Sequence, residues 1–306
     1  WCILESDESD GSFLKVPTTY SVVTNIDDEH MDYYKNIENL KNKFVKFIEK
    51  TPALGRSFIC IDDKNIKSII HKLSQNNYYT YGFDKNSNFK IQNVFQNING
   101  SSFDIKITLP GKKTKIIKNL KIPIIGMHNI KNATAAIAVA SSIGISEKII
   151  KQGLIEFKGV QRRFNKLFTF QDSIFIDDYA HHPTEIKEVL SGVKEVYKDR
   201  KIITVFQPHR ISRLRNLRGE FAAAFKCADT VVLCPIYKAG EKIKLGFSYL
   251  KFANELINKS KVRLILVNNQ NQLTKYVKQN IYGKKIVIGM GAGSISNWMR
   301  DLSKLL

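Results

Sequence analysis

Phe175-Ile176-Asp177-Asp178-Tyr179-Ala180-His181-His182-Pro183-Thr184-Glu185 runs from an apolar segment through two carboxylates and two histidines into a proline. The apolar part has the composition of a buried strand. Pro183 suits the first turn of a helix, where a missing N–H leaves nothing unsatisfied. A strand that hands polar side chains to a helix N-terminus is where open α/β sheets hold their ligands. Read alone, the stretch fits equally well as a solvated turn with N-capping carboxylates.

Downstream the same unit repeats. Apolar runs at about 173–177, 201–206, 229–234, 262–267 and 284–289 alternate with helical patterns at about 184–197, 213–226, 248–258, 270–280 and 294–305. That alternation predicts an α/β, doubly wound parallel sheet with right-handed crossovers. Two more strand exits carry polar chemistry: Phe206-Gln207-Pro208-His209-Arg210-Ile211-Ser212-Arg213, and Pro235-Ile236-Tyr237-Lys238-Ala239-Gly240-Glu241. On a helix or turn, Arg210 and Arg213 share a direction and suit one carboxylate. Gly289-Met290-Gly291-Ala292-Gly293-Ser294 imitates a dinucleotide fingerprint, but its third glycine falls one residue early and no acidic ribose partner follows. It reads as a tight strand–helix turn, close to a phosphate at most.

The whole chain narrows the classes. At 306 residues and 43% hydrophobic it can bury a large core, and two domains are expected. No apolar run reaches the roughly 20 residues of a membrane span, and no secretory leader pattern is visible. Cys2, Cys60, Cys227 and Cys234 fall in no metal-binding spacing, which points to a reducing, cytoplasmic setting. The formal charge of +20 raises a nucleic-acid hypothesis, one that predicts steeply salt-dependent binding. Yet the lysines are spread among asparagines and isoleucines without a block, as on ordinary solvated faces. The arginines gather instead, at Arg162–Arg163 and at Arg210, Arg213, Arg215 and Arg218, where planar bidentate donors suit phosphates and carboxylates.

The N-terminal half also delivers carboxylates to strand exits. Trp1-Cys2-Ile3-Leu4 reads as a strand entered without a leading turn, so an upstream part is expected. It leads into Glu5-Ser6-Asp7-Glu8-Ser9-Asp10, with four carboxylates in six residues. These suit Mg²⁺, a hard cation that prefers oxygen, and equally suit an acidic surface loop. A second strand over Tyr20–Asn25 runs into Asp27-Asp28-Glu29-His30. Helices are expected around Ile37–Ile48 and Ile66–Leu73, a strand over Ser57–Ile61, and a small antiparallel segment from about 78 to 120. Gly126-Met127-His128-Asn129-Ile130-Lys131-Asn132-Ala133 opens an alanine-rich helix. Asn129 and Asn132, three apart, share a helical face and could read an adenine edge or a ribose, while Asn129 fits an N-cap as well. Gly159, after a helix ending near Phe157, marks the expected boundary between domains 1–160 and 161–306.

Together these motifs resemble the Mur ligase family. The resemblance is carried by Glu5 to Leu14, Thr24 to Asp32, His128 to Ala133, Arg162-Arg163-Phe164, Asp177 to Glu185, Gln207 to Arg213 and Tyr237 to Glu241, seven motifs spread from end to end. It implies a partial central ATPase domain, mostly parallel with a small antiparallel segment, followed by a Rossmann-like C-terminal domain. It also implies ATP and Mg²⁺ as cofactors. The implied reaction phosphorylates the carboxylate of UDP-N-acetylmuramate and lets the amine of L-alanine attack the acyl phosphate, with no nucleic-acid or membrane partner. By resemblance Glu5 and His30 hold Mg²⁺, and His128, Asn129 and Asn132 meet the adenosine. Arg163 reaches the γ-phosphate and Asp178 the ribose. His182, Arg210 and Arg213 seat alanine, with Tyr179 and His209 lining the pocket; Glu5, His30, Arg163 and His182 form the catalytic set. A family member that recycles a tripeptide onto the same UDP-sugar shares several motifs, but the strings Glu5–Leu14 and Gln207–Arg213 favour the alanine-adding type. Family members also carry a UDP-binding domain and a GxxxxGK[ST] phosphate loop upstream, and no such loop occurs in these 306 residues. The chain is therefore expected to be inactive alone, and a non-catalytic nucleotide-binding remnant is the remaining alternative.

Overall fold

The computed structural model describes residues 1–73, 77–241 and 248–306. Two compact units emerge. The first comprises Trp1–Phe95, Gly100–Pro123 and His128–Phe157; the second comprises Gln96–Asn99, Ile124–Met127 and Lys158–Leu306.

The first unit is built on one sheet in sequential order: β1 (Tyr20–Val23), β2 (Arg56–Cys60), β3 (Tyr78–Gly82), β4 (Phe89–Asn97), β5 (Gly100–Ile107) and β6 (Lys115–Ile122). β1, β2, β3 and β4 pair in parallel, and β5 pairs with β6 antiparallel. The antiparallel segment expected over 78–120 is thus narrower than its sequence suggested, because β3 extends the parallel sheet. Ser57 to Cys60 of β2 are all buried, as a parallel strand covered on both faces must be. Helices α1 (Met31–Tyr34), α2 (Ile37–Glu49), α3 (Lys64–Ile69), α4 (Met127–Ser142) and α5 (Glu147–Ile155) complete it. In α2 the Asn36 side chain caps the Asn39 N–H, and Leu40, Phe47 and Ile48 turn inward. Phe13 packs there, its ring centroid 5.1 Å from that of Phe47.

One expectation fails in this unit. Trp1–Leu4 forms no strand; Trp1 is 88% and Ile3 97% exposed. The run is apolar enough for a strand, but a strand also needs a neighbour's N–H and C=O groups, and among the described residues none pairs with it.

The second unit contains β7 (Asn165–Phe170), β8 (Ser173–Asp178), β9 (Lys201–Phe206), β10 (Thr230–Leu233), β11 (Arg263–Leu266) and β12 (Lys285–Met290), in the spatial order β11-β10-β9-β12-β8-β7. Five strands are parallel, and β7 is an antiparallel edge. That edge strand was not anticipated; its Phe168 stacks on Phe175 of β8 with centroids 4.4 Å apart. Helices α6 (Pro183–Val196), α7 (Ile211–Asn216), α8 (Arg218–Ala223) and α9 (Tyr249–Ser260) supply one core, containing Leu190, Phe221 and Leu256. Helices α10 (Gln270–Asn280) and α11 (Ile295–Leu305) supply the other, with Val277 and Met299. The single helix expected over 213–226 is two short ones, because Leu217 leaves the helical region at φ −107°, ψ 27°. β12, last in sequence, lies between β8 and β9. The strand order therefore reverses beside the ends of β8, β9 and β12, the kind of crevice where doubly wound sheets bind ligands.

Candidate functional site

In the first unit, the loop after Leu4 and the exit of β1 bring three side chains together. One ligand atom each from Glu8, Glu29 and His30 lies within 4.8 Å of the other two. His30 Nε2 is 3.6 Å from Glu8 and 3.7 Å from Glu29. His30 is held in the left-handed region at φ 57°, at the start of α1. The Tyr34 hydroxyl donates to the Glu8 carbonyl, and burial pushes that phenol up to about 12. Two carboxylates beside an imidazole form an oxygen-rich donor set that fits a hard divalent cation. Glu5, the carboxylate expected beside His30, is exposed and outside this group. Four carboxylates in one loop look alike in sequence; the path of the loop brings Glu8 beside His30 and Glu29. His128, Asn129 and Asn132 lie on the first two turns of α4.

In the second unit, the end of β8 is built from buried carboxylates. Asp178 accepts from the Phe164 and Ala180 N–H groups, each at 2.8 Å. Burial raises its carboxyl to about 6 despite those bonds. Glu185 accepts from the His181 and His182 N–H groups at 2.9 and 3.2 Å, and its Oε1 is 3.7 Å from Arg163. Burial pushes Glu185 up, but His181, Arg163 and the backbone donors outweigh it and leave the carboxyl below its ordinary value. Arg162 and Arg163 both flank the Tyr179 ring, at 4.6 and 6.0 Å from its centroid.

The histidine that faces the neighbouring strand exit is His181, not the expected His182. His181 Nδ1 lies 2.9 Å from the Tyr179 carbonyl, and its ring packs edge-on against Tyr179 and His209, at 5.0 and 5.9 Å. His182 is the N-cap of α6 and 5% exposed. The reason lies in Pro183: by opening the helix it assigns the preceding residue to the cap, and the cap is turned inward. In hindsight that proline was the signal that separates the two histidines.

The second exit completes the arrangement. His209 stacks on Tyr237 with centroids 5.5 Å apart and an interplanar angle of 10°. The Arg210 N–H donates to the Tyr237 carbonyl at 2.9 Å. Arg213 NH1 approaches His209 Nδ1 to 3.4 Å. Burial, then the charges of His181, Arg213 and Arg210, pull His209 down to about 4, so it is neutral at pH 7 among cations. Glu241 accepts from the Ser212 N–H at 2.9 Å and steadies the start of α7. The glycine turn after β12 is a packing device. The Gln207 Oε1 accepts from the Ile295 N–H at 3.0 Å, occupying a donor that a phosphate would need. A Cβ on Gly293 would sit 2.5 Å from Gln207 Oε1 and 2.6 Å from the Tyr237 ring.

The family pattern described as the Mur ligase middle domain matches residues 2–140, and that described as the Mur ligase, glutamate ligase domain matches residues 162–293. The chain belongs to the Mur ligase family. A UDP-N-acetylmuramate–L-alanine ligase of Pelagibacter ubique is 61% identical over 306 residues, covering all of this chain and 66% of that protein. The crystal structure of UDP-N-acetylmuramate-alanine ligase from Thermotoga maritima superposes with a TM-score of 0.76 at 26% identity, covering 97% of this chain and 62% of that one. A MurF ligase from Thermotoga maritima, solved in complex with ADP, shares the fold at TM-score 0.72 and 14% identity, covering 97% of this chain and 65% of that one. The chain thus spans just under two thirds of the length of these Mur ligases. No helix among its described residues is long and apolar enough to cross a membrane.

Proposed function

We propose that this chain is the ATP- and acceptor-binding part of a ligase that joins L-alanine to UDP-N-acetylmuramate through an acyl phosphate. The observation that carries this is the 61% identity to an L-alanine-adding ligase along all 306 residues. Residues 1–160 are assigned as part of the ATP-binding central domain and 161–306 as the Rossmann-like C-terminal domain.

His30 would hold Mg²⁺ together with Glu5, the partner that the resemblance implies, and with Glu8 and Glu29, which lie beside it; the ion when bound neutralises phosphate charge. His128, Asn129 and Asn132 are assigned to adenosine, Asp178 to the ribose and Arg163 to the γ-phosphate. Phosphoryl transfer asks a protein mainly for positioning and charge neutralisation, and these side chains supply both. Arg210 and Arg213 are assigned to the alanine carboxylate. Guanidinium groups bind carboxylates through paired, charge-assisted hydrogen bonds, which leaves the amine free to attack. His181, Tyr179 and His209 bound the pocket. A neutral His209 adds no further charge beside the incoming amine.

The test is ADP release with ATP, Mg²⁺, UDP-N-acetylmuramate and L-alanine, on the 306-residue chain and on the full-length gene product. Alanine-dependent turnover by the full-length protein, with none from the chain that holds no GxxxxGK[ST], is the expected result. Turnover that needs a tripeptide instead of alanine would move the assignment to the recycling type, and none with either acceptor would leave a nucleotide-binding remnant.

A further inference from the structure

Asp177 precedes the proposed ribose residue and has been given no role. It is wholly buried at the end of β8. Its Oδ2 accepts from the Ser296 hydroxyl and lies 4.0 Å from Arg162 Nε and 3.7 Å from an Arg300 guanidinium nitrogen. Its Oδ1 and the buried Arg162 Nε have no hydrogen-bond partner among the described residues, so Asp177 and Arg162 are joined by an ion pair without a hydrogen bond. A buried ion pair of this kind contributes little net stability, because removing the charges from water offsets their attraction.

Arg162 is fixed in three ways. Beyond Asp177, its NH2 donates to the Gly291 carbonyl at 2.8 Å, and its guanidinium lies 4.6 Å over the Tyr179 ring. Its backbone is in the left-handed region at φ 58°, and its carbonyl accepts from the Tyr179 N–H at 2.6 Å. Two residues on, the Phe164 N–H is held by Asp178. The residues on both sides of Arg163 are therefore fastened to the end of β8, one through Asp177 and one through Asp178.

We propose that Asp177 is a positioning residue: through Arg162 it fixes the backbone that presents Arg163, and it holds the Tyr179 ring. The consequence for phosphate binding rests on the assignment of Arg163 to the γ-phosphate; the positioning itself does not.

The experiment uses the full-length gene product with Asp177→Asn, Arg162→Gln, Arg163→Ala and the two doubles that combine each of the first two with Arg163→Ala. Asp177→Asn and Arg162→Gln are each expected to raise KM for ATP about tenfold or more, toward the value of Arg163→Ala, with a smaller change in kcat. Each double is expected to match Arg163→Ala alone, since residues that act through one another are not additive. Additive effects in the cycle would reduce Asp177 to a merely structural role and overturn the proposal. A second readout needs no turnover. The side-chain NMR signals of Arg162 are expected to be single and sharp in the parent and broadened in Asp177→Asn; if they stay sharp there, Asp177 does not hold Arg162. If the signals broaden but Arg163→Ala leaves KM for ATP unchanged, the phosphate assignment falls and the positioning stands. Arg162 keeps a quarter of its side chain exposed, so Arg162→Gln carries the cycle should Asp177→Asn fail to fold.

Discussion

The two units each bring carboxylates and histidine to a strand exit, and they do so by opposite means. In the first unit, loops gather Glu8, Glu29 and His30, whose side chains remain a quarter to a third exposed. In the second, Asp178, Glu185 and Gln207 are fastened by backbone N–H groups before any ligand arrives. The contrast separates two kinds of site. A loop cluster of two carboxylates around one imidazole stays partly exposed and open to a cation, whereas a clamped strand exit is already shaped and holds its charges at a cost in desolvation.

Breaking the first cluster has the largest expected effect. Glu8→Gln together with His30→Ala in the full-length protein is expected to lower ADP release about 10³-fold, the scale of losing a transition-state charge contact. The same change should leave the unfolding midpoint nearly unaltered, since partly exposed ion pairs add little stability. Turnover within tenfold of the parent would remove the cluster from the site.

The second unit should reveal itself through pH. Asp178, raised to about 6 from an ordinary 3.8, binds its proton more tightly when folded, so its contribution falls as pH climbs from about 4 to 6. That shift corresponds to about 3 kcal/mol. His209, lowered to about 4, binds its proton less tightly when folded, so its contribution rises over about pH 4 to 6.5. The two oppose each other. Relative to the parent, urea unfolding of Asp178→Asn should therefore gain stability with rising pH across this window, and His209→Gln should lose it. Parallel curves for all three proteins would refute both shifts.

Arg213→Ala sharpens the comparison at the acceptor end. Losing a charged hydrogen bond of about 1.5–3 kcal/mol should raise KM for alanine roughly 10- to 100-fold with KM for ATP unchanged. Arg213→Lys should recover only part, lacking the planar fork. Smallest of all is Lys284→Ala, which removes a 3.0 Å pair to Asp199 with both side chains about 60% exposed. It should change stability by less than about 0.5 kcal/mol.

What could be read from the sequence follows from where physics is local. Ser173–Asp178 and Lys201–Phe206 were legible because covered parallel strands are continuous apolar runs. Asn165–Phe170 was not, because an edge strand mixes polar and aromatic residues and borrows its order from β8. Trp1–Leu4 failed the other way, apolar but without a partner. Within the sites, residue type was legible and choice among neighbours was not. Four carboxylates crowd the loop that supplies Glu8, and His181 and His182 differ only in which one Pro183 turns into a cap. Arg162 went unassigned because its role depends on Gly291 and Asp177, the first of them 129 residues away along the chain.

The place of β12 bears on how this protein comes into being. It follows the other five strands of its sheet in sequence, yet it pairs on both sides, with β8 and with β9. Until Lys285–Met290 are available, β8 and β7 have no hydrogen-bonded link to β9, β10 and β11. The catalytic-looking exits of β8 and β9 therefore cannot be drawn side by side in a nascent chain. Pairings so distant in sequence are slow to form, so a chain truncated before Lys285 should leave two unpaired strand edges exposed and be prone to aggregate.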